Sequence, residues 1–306
     1  MTKMGFSKSE DAIINLFKKG TTIIFNKQIY KIEKVDKPKV ASGECKTDVY
    51  VLLSNDQNHE EIKISIKQIN ADFIENKLRL PRAKEIFGEN AATIVYNSIQ
   101  SLQSILEKEP LIYFKSFGNT EEGSVKFGWR FDLVKRKSGN KVGIIKLTPV
   151  QELEVYAGTS LPIEKKNAIV LGEVITDSGI ANYVLDVENE DTFTKCQDVI
   201  DNLRSIQEYA ENHNIYFACK AINFRVHSGK CESRHFAVYV DWKIENGQLK
   251  SELIYDNPLS KTTRDIKKSF ISILKELEID KACFNSLLSK LDNVEYYPED
   301  YAIETK

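Results

Sequence analysis

Cysteine is scarce and unpatterned in this chain of 306 residues: Cys45, Cys196, Cys219, Cys231 and Cys283 are odd in number, scattered, and never spaced as CxxC. That spacing excludes a zinc ribbon and a disulfide framework, and it fits a reducing cytoplasm. Long apolar runs are missing as well. None approaches the ~20 residues a membrane helix needs, so no membrane partner is expected. The N-terminal Met1-Thr-Lys-Met-Gly-Phe6 lacks the apolar core of a signal peptide. Glycine (14) and proline (7) are few beside 42% hydrophobic and 29% charged residues, which excludes disordered and fibrous compositions and predicts a globular chain with a substantial core.

A strong excess of either charge is also absent. The net charge of −2 argues against indiscriminate coating of nucleic acid. Its distribution is uneven, however: residues 1–150 hold 25 Lys+Arg against 18 Asp+Glu (+7), and residues 151–306 hold 18 against 27 (−9). No repeat, low-complexity tract or linker marks a boundary. The change of charge alone suggests a division near 160, into 1–160 and 161–306.

The periodicities that are present are those of an α/β chain, with a mixed central β-sheet flanked by helices and β-rich additions. Ser9 to Gly20 reads as a helix capped by Ser9. Residues 21–34 read as two strands around Asn26-Lys27, and a helix is predicted from Asn70. Ala91 to Glu107 carries apolar residues at helical spacing. The runs 111–115, 124–134 and 142–147 read as strands, and Thr148-Pro-Val-Gln151 opens a helix with Thr at the N-cap, Pro at N1 and Gln at N3. Further strands are predicted within 167–175 and 181–187, and then one helix from Asp191 to His213. Beyond it come strands at 215–225, 234–244 and 249–255, the last two joined by Asn246-Gly247. Helices over 263–277 and 283–291 end the chain.

Two strands carry the chemistry. Thr47-Asp-Val-Tyr-Val-Leu-Leu-Ser54 and Glu61-Ile-Lys-Ile-Ser-Ile-Lys67 flank the polar turn Asn55–His59. Burying Val49, Val51 and Leu53 on one face with Ile62, Ile64 and Ile66 predicts Val49 opposite Ile66, Tyr50 opposite Ser65, and Asp48 opposite Lys67. A carboxylate and an ammonium then meet on the polar face of an apolar hairpin. An ordinary cross-strand ion pair would look the same.

With Gly43-Glu-Cys-Lys-Thr-Asp48 and Ile64-Ser-Ile-Lys-Gln68, this hairpin resembles the active centre of the PD-(D/E)xK nuclease superfamily, and most closely its type II restriction endonucleases. The resemblance covers about forty residues, from Gly43 to Arg82, and it implies a restriction-endonuclease-like core. Asp48 takes the place of the first aspartate and Lys67 that of the lysine, while Ser65 stands where the family has Asp or Glu. The resemblance further implies a Mg²⁺ site using Asp48 and the Ile66 carbonyl. A carboxylate recruited from Glu10, Glu44 or Glu75 would complete it. A literal Glu61-Ile62-Lys63 fits the short motif too, but the predicted register sets Lys63 opposite Leu52, ~13 Å along the strand from Lys67.

Such residues suit phosphodiester hydrolysis, because a hard cation with one or two carboxylates can polarise a phosphate and activate water while a lysine orients the water and neutralises charge. The resemblance thus implies an endonuclease acting on double-stranded DNA, with a homodimer as its expected assembly, although monomeric relatives exist. A structure-specific nuclease for junctions or repair, and a catalytically silent DNA-binding protein marked by Ser65, are the alternatives. For sequence recognition the candidate is the loop His227–Ser233, which contains Lys230 and is flanked by Lys220, Arg225 and Arg234. A two-stranded ribbon fits the major groove, where Arg reads guanine. A hairpin tip with ordinary surface charges fits equally well. His227, His235 and Cys231 match no metal-ligand spacing.

Overall fold

A computed structural model of the chain describes residues 6–189, 191–280, 282 and 284–297. The first five residues of the N-terminal segment and Cys283 lie outside that range. The chain is mixed α/β, with mixed sheets flanked by helices, as the periodicities predict.

In chain order, α1 (Phe6–Leu16) leads into β1 (Thr22–Phe25), β2 (Gln28–Asp36), β3 (Val49–Ser54) and β4 (His59–Gln68). Then come β5 (Phe73–Glu75), α2 (Leu80–Phe87), α3 (Ala91–Gln100), α4 (Gln103–Leu106), β6 (Ile112–Tyr113), β7 (Ser124–Val134) and β8 (Val142–Ile144). The next stretch holds α5 (Pro149–Ala157), α6 (Ile163–Lys166), β9 (Ile169–Val170), β10 (Glu173–Val174), β11 (Tyr183–Val187), α7 (Cys196–Asp201), β12 (Arg204–Ser205) and α8 (Ile206–Asn212). The last comprises β13 (Tyr216–Arg225), β14 (Val238–Glu245), β15 (Gln248–Ile254), α9 (Thr263–Glu276), a 3₁₀ helix (Phe284–Lys290) and β16 (Tyr296–Tyr297).

These elements form two compact units, 1–74 with 147–214, and 75–146 with 215–306. Each unit draws on both sides of residue 160. Surface charge marks composition, whereas strand pairing decides which segments fold together, so the division near 160 has no structural counterpart.

The first unit is built on one sheet in the order β1-β2-β3-β4-β11-β12, antiparallel throughout except where β11 runs parallel to β4. Val49, Val51 and Leu53 of β3 and Ile62, Ile64 and Ile66 of β4 are buried with Leu185 and Val187 of β11, and Ile13, Phe17, Val199 and Ile200 join the same cluster. Alternation thus assigned the apolar face correctly, although the face expected to be polar is covered too, with Tyr50 and Ser65 both buried. It did not assign the register. Val49 lies opposite Ile64, Tyr50 opposite Lys63 and Leu52 opposite Glu61, two residues from the predicted pairing. The turn causes this shift, since Asn55 accepts bonds through Oδ1 from the N–H groups of Gln57 and Asn58 (3.0 and 2.8 Å), which closes the loop early and pairs Ser54 with His59. A shift of two residues preserves faces while displacing partners by ~7 Å.

The second unit has a sheet in the order β15-β14-β7-β13-β8. Its β7 is buried almost throughout, and the aromatics of the Lys126–Arg130 run, Phe127 and Trp129, are core; Phe127 stacks on Phe224, and the following Phe131 on Phe217, each with ring centroids 5.1 Å apart. Gly128 is required where β14 crosses, because a Cβ there would lie 2.2 Å from the Val238 carbonyl oxygen. The basic turn after β7 is exposed from Arg136 to Asn140.

Candidate active site

Asp48 sits immediately before β3, and its main chain and side chain both grip β4. Its N–H donates to the Ile64 carbonyl at 2.8 Å, and its Oδ2 accepts the Ile66 N–H at 2.7 Å. The parallel neighbour explains why that donor is available. Lys63 exchanges bonds with Asn182, and the Ile69 N–H donates to Val187, so odd-numbered residues of β4 face β11 while even-numbered ones face β3. In an extended strand the N–H and C=O of one residue point the same way. The Ile66 carbonyl therefore opens toward the edge that Asp48 occupies, beyond the end of β3.

The electrostatics bind these groups into one cluster. Burial raises the Asp48 carboxyl to about 6; Lys67 and the Ile66 N–H pull against that rise, and Glu10 adds to it. Asp48 and Lys67 are thus electrostatic neighbours although they are not cross-strand partners.

Of the three acids proposed to replace the one missing at Ser65, Glu10 is the one beside Asp48. It arrives on α1, which is fixed to the sheet by Ile13 and Phe17 and by a 3.0 Å bond from Gln68 Nε2 to Ser9 Oγ. Ser9 lies inside α1, so the predicted helix cap is instead a tether between helix and strand. Glu44 is exposed and acts electrostatically on Lys37. Glu75 belongs to the other unit and is paired with Arg82 at 3.3 Å. Ser65 is 1% exposed, so the motif's acidic position lies within the sheet packing. The discarded Lys63 faces Tyr50 and pairs with Glu61 at 3.5 Å, while Glu61 accepts the Tyr50 hydroxyl at 2.6 Å.

Two participants escaped the sequence reading. Lys37, at the end of β2, is bonded to Glu10. Burial lowers its pKa, but Glu10, Asp48 and Glu44 outweigh that and hold it above the usual value. Asp186 on β11 is the register partner of Lys67, and its carboxylate is held by Arg204 and by the Tyr209 hydroxyl at 3.1 Å. A lone acid inside the apolar run Tyr183–Val187 was the available signal. Its neighbour across the sheet is non-local and left no trace in the sequence.

The proposed DNA-reading residues belong to the second unit. Arg225 and Lys230 bridge through the backbone at 2.9 Å; Arg225 pairs with Glu121 at 2.9 Å, and Arg234 pairs with Glu232 at 2.8 Å. His235 Nδ1 lies 2.9 Å from the Leu259 carbonyl oxygen, and the His227 ring packs against Phe284. Among the described residues, no helix is long and apolar enough to cross a membrane, and no three or more His, Cys, Asp and Glu residues gather as a metal group. No family model, curated protein or solved structure matches this chain.

Proposed function

We propose that the chain is a Mg²⁺-dependent endodeoxyribonuclease, a type II restriction enzyme of the PD-(D/E)xK kind acting on double-stranded DNA. One observation carries this reading: the Asp48 carboxylate, with Glu10 and Lys67 as electrostatic neighbours, is held at the open end of β4 against Ile66. Structural ion pairs rarely bring two carboxylates together while burial is already driving one of them toward its neutral form. A cation would relieve both the repulsion and the burial.

The donor set suits Mg²⁺, which takes oxygen ligands, keeps several waters and needs only one or two carboxylates. Asp48, Glu10 and the Ile66 carbonyl would hold it. When bound, the ion would polarise the phosphate, lower the pKa of an attacking water and stabilise the leaving oxygen. Lys67 would orient that water and neutralise charge on the phosphate. Lys37 would steady Glu10. Arg225, Lys230 and Arg234 would contact DNA, exchanging Glu121 and Glu232 for phosphate or base edges. A homodimer would match a two-fold symmetric target.

Digestion of phage DNA with and without Mg²⁺ tests the reading. Discrete fragments are expected with Mg²⁺ alone, and Asp48→Ala, Lys67→Ala and Glu10→Gln should each lower cleavage by ~10²-fold or more. Proton and metal compete for Asp48, so Mg²⁺ affinity, read by calorimetry, should climb as pH rises through about 6. Cleavage confined to branched DNA would replace the restriction reading with a structure-specific nuclease. Ser65, buried and not acidic, favours a second reading in which the chain binds DNA without cutting it. Retained DNA affinity with no nicking under any divalent cation would establish that one.

A further inference from the structure

The second unit contains a polar cleft of about 650 Å³ beside the start of β7 and the end of β13. Its charged walls come from Arg130, Arg225, Lys230 and Lys267, against Glu121 and Glu232. Both acids are rim groups, 61% and 65% exposed, that ion-pair with Arg225 and Arg130 at 2.9 and 3.6 Å. Pairs with acids this exposed hold weakly and are readily exchanged for another anion, although Arg130 is also held by the buried Asp132 at 3.1 Å.

The floor supplies a second and independent sign. Ser124 is 1% exposed, and its Oγ, like Asn223 Oδ1, is a buried atom with no hydrogen-bond partner among the described residues. Both residues line the cleft. Ser124 lies opposite Arg225, and Asn223 opposite Lys126, with a register irregularity between Ile222 and Asn223 that interrupts the pairing there. Buried polar atoms normally find partners, so two orphans in one cation-lined cleft indicate a ligand that brings its own polar atoms. The Ser124 hydroxyl can donate to an anionic oxygen. The Asn223 amide can accept from an N–H or O–H group and, after a half-turn about its last side-chain bond, can donate instead.

We infer that this cleft is a phosphate-binding site, taking the phosphoryl group of a nucleotide or of a nucleic-acid strand. Forked arginines and flexible lysines are the side chains that recognise phosphate. A space of this size admits a nucleotide-sized group and exceeds what a single water fills. The site lies wholly within the second unit and so stands apart from the Asp48 cluster, but it shares Arg225 and Lys230 with the proposed DNA contacts and deepens that part of the proposed function.

The test is isothermal calorimetry on the full chain in EDTA, with inorganic phosphate, a deoxynucleoside monophosphate, and a short single strand with and without a 5′-phosphate. Saturable binding of phosphate or of a phosphorylated probe, tighter than ~1 mM, is expected. Arg225→Gln and Lys267→Gln should each weaken it several-fold. Ser124→Ala should weaken it too, while leaving the melting temperature equal or higher, a split that a purely structural serine would not produce. A nucleotide that binds more tightly than the phosphorylated strand assigns the free nucleotide as the source; the reverse order assigns nucleic acid. The same binding in Asp48→Ala separates this site from the proposed catalytic one. Absence of saturable binding for every probe, or binding unchanged in all three cleft variants, overturns the proposal.

Discussion

A carboxyl group raised to about 6 makes the native state sensitive to pH at a single residue, Asp48. Below the usual aspartate range, folded and unfolded chains both hold the proton, and this contribution to stability is complete. Between that range and pH 6 only the folded form keeps it, so stability falls as pH rises and is lost above the folded pKa. Asp48→Asn removes the ionisation, and Asn can still accept the Ile66 N–H. The variant should therefore be more stable than the natural protein at about pH 8, by ~2 kcal/mol, and nearly equal to it at about pH 4, as read from urea midpoints. Lower stability of the variant at the higher pH would show that Lys67 fully compensates the buried charge. Lys126 is a charge of the opposite sign and more fully enclosed. Lys126, 1% exposed and bonded to Glu109 at 3.0 Å, has its pKa lowered to about 8 by burial. Glu109→Gln would leave its ammonium without a countercharge, and the expected loss is ~3 kcal/mol on chemical denaturation at neutral pH.

At the scale of elements, local chemistry was legible wherever the determining contacts are short-range. Thr148 and Gln151 form the predicted capping box, with bonds of 3.3 and 2.9 Å. Thr148→Ala should cost about 1 kcal/mol, measured by the urea midpoint. Asn26-Lys27 and Asn246-Gly247 turn with positive φ between paired strands at the places expected, the second as its Asn-Gly pair predicts. Elements failed where a distant partner intervenes. The single helix expected from Asp191 to His213 is divided into α7 and α8, because Arg204 and Ser205 pair with the edge of β11 and Ser205 then caps α8 by accepting from the Glu208 N–H. The helix expected from Asn70 starts only at Leu80, after the short β5. The hairpin register failed for a subtler reason, since the choice rested on Asn55 closing its own turn. Asn55→Ala removes both side-chain bonds of that turn and should destabilise the first unit by ~1 kcal/mol, with amide exchange rising first along β3 and β4.

For the whole molecule, the consequence is that neither half of the chain is a folding unit. A fragment of residues 1–160 would keep β4 without its parallel partner, exposing Ile64 and Ile66 where Leu185, Val187, Val199 and Ile200 pack. It should remain unfolded or aggregate. A fusion of 1–74 to 147–214 through a flexible linker should instead give a dispersed amide spectrum, because it restores the six-stranded sheet. Folding of the 1–160 fragment by itself would contradict this division.

The sequence by itself determined the α/β class, the apolar face of the hairpin strands, and the helix cap at Thr148. Each of these depends on alternation or on neighbours a few residues apart. Only the tertiary structure decided that Glu10 rather than Glu44 or Glu75 stands beside Asp48, that Lys37 and Asp186 flank the cluster, and that the chain divides at three places. Those outcomes depend on which distant strands share backbone hydrogen bonds and on where a helix lands against a sheet. A linear pattern does not encode such contacts, because many registers and neighbours bury the same apolar face equally well.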